Sequence, residues 1–213
     1  MGTPNTVSPL LNGGSPYYLV NKSLRFRSSA SAYLSRTPAS TTNQTTWTWA
    51  GWVKRGALAD STLLGAASGS NATYIYFYSN SLVLQNNAAG VVNAQLITSA
   101  VYRDPSAWYH IVVVWNTSDS TSSNRLKIYV NGQQVTSFSA TTYPSQNTIS
   151  YANSNIGHYI GTGNGLFDGY LAEVNFIDGQ ALTPSSFGAF DTNGIWQPIR
   201  YSGTYGTNGF YLP

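Results

Sequence analysis

Only seven carboxylates occur in these 213 residues, and three of them, Asp168, Glu173 and Asp178, fall in one stretch, FDGYLAEVNFIDGQAL, at 167–182. Clustered acids are where acid–base hydrolysis or a hard cation would be sought first. If 170–177 is a strand, Tyr170, Ala172, Val174 and Phe176 share one face, assigned to the core, and Leu171, Glu173, Asn175 and Ile177 share the other. Asp168 and Glu173 then face opposite ways, as do Glu173 and Asp178. Asp168 and Asp178 share a face but stand roughly 30 Å apart at ~3.3 Å per residue, against the about 10 Å a glycosidase pair tolerates. The three acids are not expected to converge. Each aspartate precedes a glycine, which is first a turn signal, and Glu173, the only glutamate, is expected to be a hydrogen-bonded structural anchor rather than a catalytic base.

Other chemistry has little material. The chain has two histidines and no cysteine. His110 lies in the apolar run AWYHIVVVWN and reads as a packed strand residue; His158 is assigned to the surface or an edge. Neither adjoins a Gly-x-Ser-x-Gly elbow, so no catalytic residue is expected. DTNG (191–194) and NSNIG (153–157) offer oxygens to calcium, but with too little carboxylate; turn formation is expected, with no metal site and no cofactor. The net charge of +3 is spread out, with no basic run longer than Lys54-Arg55, which argues against nucleic acid. Apolar runs such as IVVVW (111–115) fall far short of the ~20 residues of a membrane span. The first residues, MGTPNTVSPLLNGGSPYY, lack the basic start and apolar stretch of a secretory signal.

Aromatic residues are the surplus: 14% of the chain, with 16 tyrosines and 6 tryptophans. In ATYIYFYSN (72–80) Tyr74, Tyr76 and Tyr78 alternate with Ile75 and Phe77, which places the three tyrosines on one face of a strand. That face is expected either to contact carbohydrate, rings against sugar and amides against hydroxyls, or to pack against a neighbouring subunit.

The elements that must position these groups are strands. Charged residues make up only 8% of the chain, against about 25% in ordinary soluble domains, so Ser, Thr, Asn and Gln keep the surface wet. WTWAGWVKR (47–55) puts Trp47, Trp49 and Val53 on one face and Trp52 on the other. The run around His110 is too apolar for a wet face and belongs mid-sheet, covered on both sides. RLKIYVNGQQVTSF (125–138) is a hairpin turning at Asn131-Gly132. No helical period is sustained; TPSSFGAF (183–190) holds at most a turn, with Thr183 as cap and Pro184 first. The expected fold is all-β, a two-sheet antiparallel β-sandwich with negligible helix, organised as an arm over 1–21, a jelly-roll domain over 22–190 and a C-terminal segment over 191–213 that packs on the sandwich or links to a partner.

In order, WTWAGWVKR, AWYHIVVVWN, LKIYVNGQQV and FDGYLAEVNFIDGQALTPSSF resemble the laminin G-like, concanavalin A-like jelly rolls, pentraxin-type modules included, over about 23–190. The segment GIWQPIRYSGTYGTNGFYLP (194–213) is similar to one that follows such modules in virion proteins of tailed, particularly marine, bacteriophages. The resemblance implies a non-enzymatic virion surface protein, whether capsid decoration, head fibre or tail-associated adhesin, that stabilises the particle or binds host-surface glycans. Its partners would be other virion proteins, copies of itself and host glycans, with no nucleic acid and no membrane. A secreted carbohydrate-binding module and a glycan-degrading enzyme are the alternatives. The family's hydrolases carry Glu-x-Asp-x-Glu or close to it on one strand, where this chain has Ala172-Glu173-Val174-Asn175-Phe176.

Overall fold

In the computed structural model, residues 18–213 are described, so most of the expected arm lies outside the described residues. The strands are β1 (Leu24–Phe26), β2 (Leu34–Arg36), β3 (Thr46–Arg55), β4 (Ser61–Ser68), β5 (Asn71–Tyr78), β6 (Ser81–Ala88), β7 (Val91–Val101), β8 (Tyr109–Asn116), β9 (Leu126–Val130), β10 (Gln133–Gln134), β11 (Phe138–Thr142), β12 (His158–Ile160), β13 (Gly169–Asp178), β14 (Gly188–Phe190), β15 (Trp196–Pro198) and β16 (Phe210–Leu212). Sheet I runs β1-β13-β3-β8-β9-β10, with β16 also on β13; sheet II runs β11-β7-β6-β5-β4-β12-β2; β14 and β15 form a separate ribbon. All strand pairs are antiparallel. The only helical elements among the described residues are three short 3-10 turns, so the all-β sandwich expected from the periodicity is the fold.

Alternation dictates the core. Trp47, Trp49 and Val53 of β3, Ile111, Val113 and Trp115 of β8 and Val174 and Phe176 of β13 point inward against Ile75, Phe77, Leu82, Leu84 and Leu96 of sheet II. Trp47 stacks on Trp115 with centroids 6.0 Å apart and planes 3° apart, and donates its indole N–H to Ser150 Oγ at 2.8 Å. Asn131 and Gly132 take φ of 48° and 80°, the left-handed pair that a tight hairpin turn requires. Thr183 precedes a turn over Pro184–Ser186 as expected, but its hydroxyl bonds Ser185 rather than capping the backbone.

The outer side of sheet I is not left wet. Ala50, Val112, Val114, Tyr129 and Ile177 there are buried beneath Phe187, Leu182, Tyr201 and Tyr205, which covers β8 on both sides. Its edge at β13 is shared: β1 pairs with Gly169–Leu171 and β16 with Val174–Phe176.

Between those two pairings the register of β13 slips, between Ala172 and Asn175, and Glu173 takes a φ of 51°. The bulge inserts a residue and reverses the alternation. Leu171 faces the core before it and Val174 after it, so the face assigned from strict alternation is corrected: Tyr170 is 38% exposed and lies on the outer side with Ala172. The acids still do not meet. Asp168 accepts from Arg25 and Ser28, Glu173 from Tyr211, and Asp178 from the Asn208 amide.

Candidate functional site

A groove of ≈ 820 Å³ opens on the outer side of sheet I. Three indoles line it: Trp52 from β3, Trp108 from the approach to β8 and Trp196 from β15. Residues 18–23 form one wall and 195–198 another, with Ala172 of the bulged strand between. Outward alternation along β3 is what puts Trp52 here while Trp47 and Trp49 go to the core.

Trp52 and Trp196 share one support, and Trp108 has another. His110, on the outer side of β8, is 2% exposed and its ring centroid lies 5.0 Å from Trp52 and 5.8 Å from Trp196. Trp196 Nε1 donates to His110 Nδ1 at 3.0 Å, which leaves the imidazole proton on Nε2. Burial lowers the His110 pKa to about 3, so the ring stays a neutral acceptor. Trp196 also lies against the bare Cα atoms of Gly132 and Gly188, where a Cβ would come within 2.4 Å of its ring, and meets Phe190 edge to face at 4.9 Å. Trp108, 36% exposed, stands 6.5 Å from Tyr170, over which the Arg25 guanidinium lies at 4.9 Å.

A hydroxyl chain fixes the wall made by residue 18 onward. Tyr211 donates to Glu173 Oε1 at 2.7 Å, Tyr18 and Tyr211 hydroxyls are 3.3 Å apart, and Tyr205 donates to Asn175 Oδ1 at 2.8 Å. Burial, then Glu173, pushes Tyr18 well above the ordinary phenol range; Tyr205 is pushed up to about 12, chiefly by burial. These phenols are held protonated, the reverse of an activated nucleophile. The polar residues that line the groove are Tyr18, Asn21, Lys22, Ser23 and Gln197, and the Gln197 amide donates to Asp191 Oδ2 at 3.1 Å.

The sequence-predicted tyrosines lie elsewhere, on the outer side of sheet II. Tyr74 is half-buried with its ring over Gly65 and Gly163, Tyr76 is 9% exposed and Tyr78 53%. Tyr76 donates to Gln85 Oε1, which also accepts from Gln95, while Gln85 Nε2 donates to Asn87. The alternation that grouped them holds; it does not place them in the groove. His110 is the packed strand residue expected, whereas His158 is buried at 5% exposure, bonded through its ring to Asn153 N and Ile156 O, because β12 lies between β2 and β4 and not at an edge. In DTNG, Asp191 Oδ1 accepts from the Asn193 and Ile195 amides, a turn-forming arrangement. The groove residues went unrecognised in sequence; the available signals were Trp52 as the odd aromatic on its strand and a tryptophan in an otherwise irregular tail.

The chain matches a family model described as concanavalin A-like lectin/glucanases superfamily over residues 28–186. Among solved structures it is similar to domains LG4-5 of the mouse laminin alpha1 chain, at 15% identity and a TM-score of 0.54, covering 87% of this chain and 48% of that one. It is similar also to the binding domain of botulinum neurotoxin serotype D, at 10% identity and a TM-score of 0.53, again covering 87% and 48%. The chain thus spans about half the length of either. A heptameric SAP-like pentraxin from Limulus polyphemus matches at 18% identity and a TM-score of 0.49, covering 93% and 88%. No curated protein sequence matches. At these identities the likeness is one of fold.

Proposed function

We propose that this chain, which belongs to the concanavalin A-like lectin/glucanases superfamily, is a non-enzymatic glycan-binding module carried on the surface of a tailed bacteriophage virion. The observation that carries the binding reading is the groove itself. Three indoles brought together from distant parts of the chain present apolar faces that match the C–H faces of a pyranose, and the polar side chains of Asn21, Lys22 and Ser23 at one wall match its hydroxyls. Two of the rings, Trp52 and Trp196, are prefixed by His110, Gly132 and Gly188, so little of their side-chain freedom remains to be lost on binding.

Support for a non-enzymatic role is the separation of the acids. Asp168, Glu173 and Asp178 each serve a different structural partner, and none stands opposite another across the groove. The virion setting rests on the likeness of 194–213 to a segment of phage virion proteins; there the module would contact other virion proteins while the groove faces host glycans.

A glycan array probed with the purified protein, repeated with Trp108→Ala, tests the binding reading. Trp108 is partly exposed and lies outside the core, so its loss should abolish array signal at unchanged thermal stability. Signal that survives in Trp108→Ala, or no glycan bound by the wild-type protein, refutes the assignment. Detection of the chain in purified phage particles tests the setting separately.

A further inference from the structure

The outer side of sheet II differs in kind from the groove. Among its seven strands the only Lys, Arg, Asp or Glu is Arg36. That residue is paired in register with buried His158, and its guanidinium lies over Phe210 of the other sheet, 5.2 Å from the ring centroid. The outward positions are therefore entirely uncharged. Asp60, in the loop before β4, stands at the border, its carboxylate occupied by the Ser79 amide.

The polar groups of this face are largely satisfied among themselves. Gln85 uses both ends of its amide, accepting from Tyr76 and Gln95 and donating to Asn87. Tyr76 is 9% exposed and Val83 fully buried, and Tyr74 is seated on Gly65 and Gly163. A sugar would find few free hydrogen-bonding groups here. Among the side chains that protrude are Tyr78 at 53% exposure and Val101 at 46%, which flank Ser81 across neighbouring strands; Ser99 and Thr142 are exposed as well.

We propose that this uncharged face of sheet II is a self-association surface, on which a second copy of the chain docks by a twofold axis. In such an interface each side chain near the axis meets its own copy, so any charge would face a like charge; a face with none is the composition that tolerates self-pairing. Size agrees. The seven strands hold 46 residues, from three in β2 and β12 to eleven in β7; at about 4.8 Å spacing and ~3.3 Å per residue they cover about 700 Å², close to the area per partner of a standard-size interface. Depletion of charge with tyrosine enrichment is also the compositional mark of interface centres. The interface lies on the sheet opposite the groove, which leaves two grooves open in the pair.

The test is the mass of the full chain in solution by sedimentation equilibrium, from about 1 µM to about 1 mM, a span that brackets weak and strong interfaces of this size. The variants Tyr78→Lys and Val101→Lys alter exposed positions outside the core, and Leu58→Lys, in the loop between β3 and β4, controls for added charge. We expect a dimer for the wild type and for Leu58→Lys, and a dissociation constant at least about tenfold weaker for each face variant, since an unpaired ammonium buried in the interface costs more than the 1.4 kcal/mol of a tenfold change. A wild-type monomer throughout, a dimer that both face variants leave intact, or loss of glycan binding in those variants at unchanged mass overturns the proposal. Since Trp108→Ala leaves this face untouched, its mass separates failure of the interface from failure of the groove.

Discussion

Gly132→Ala and Gly194→Ala form a matched pair that isolates how the tryptophan wall is built. Both glycines have positive φ, 80° and 76°, so each alanine incurs the same left-handed backbone cost of about 1–2 kcal/mol. At Gly194 a Cβ would meet nothing within 4 Å, whereas at Gly132 it would stand 2.4 Å from Cε3 and 2.5 Å from Cζ3 of Trp196. Carbon atoms pack at about 3.5–4.0 Å, so the indole must retreat by about 1 Å, at a further cost of about 1–3 kcal/mol for overpacking. Gly194→Ala should therefore lose about 1–2 kcal/mol and Gly132→Ala about 2–5 kcal/mol. At about 2–4 °C per kcal/mol for a domain of this size, Tm falls by about 2–8 °C and 4–20 °C respectively. Urea unfolding followed by circular dichroism gives the energies, and glycan titration gives a second readout, because retreat of Trp196 also breaks its bond to His110. Gly132→Ala should lose affinity and Gly194→Ala should not. Equal loss of stability in the two, or intact glycan affinity in Gly132→Ala, would show that Trp196 is not seated on the hairpin and that the groove wall is held by something else.

Tyr211→Phe should cost about 1–3 kcal/mol in urea unfolding, since it removes the 2.7 Å donor to buried Glu173; a cost near zero would contradict the hydroxyl chain. His110 is neutral when folded because burial lowers its pKa from 6.5 to about 3, so its contribution to stability is complete above pH 6.5 and is lost as pH falls toward 3. Asp168 acts in the same direction at the low end: burial opposes its ionisation, but the Ser28 amide and Arg25 outweigh it and hold the carboxyl below the usual range. A urea midpoint that stays flat from neutrality into that window would refute both. Tyr205, raised by burial from 10.0 to about 12, stabilises below pH 10 and loses that contribution as pH climbs to about 12, which alkaline melting curves will register. Arg55 is fully buried without a carboxylate, donating instead to Asn80, Tyr102 and Ala59; Arg55→Ala should cost about 3–5 kcal/mol, as loss of a buried network does, and a cost under about 1 kcal/mol would argue against that network.

Several features were legible before any coordinates because they depend on neighbours in sequence. Strand alternation alone puts Trp47 and Trp49 on one face and Trp52 on the other and groups Tyr74, Tyr76 and Tyr78, and the Asn131-Gly132 pair marks its own turn. Alternation failed at Glu173, where one bulge residue reverses the faces of β13; a carboxylate in left-handed conformation has no local signature, since the bulge forms where β1 and β16 meet on one strand edge. His158 was misplaced for a related reason: a three-residue strand shows no period, and only its neighbours β2 and β4 decide that it is buried.

The sequence by itself determined the all-β class, the grouping of side chains by face along unbulged strands and the turns, because side-chain period and positive-φ preference act within a few residues. Tertiary structure alone decided the groove. Trp52, Trp108 and Trp196 come together with residues 18–23 only after sheet I has formed and the C-terminal segment has folded back over its outer side, and contacts between residues so far apart in the chain leave no periodic trace in it.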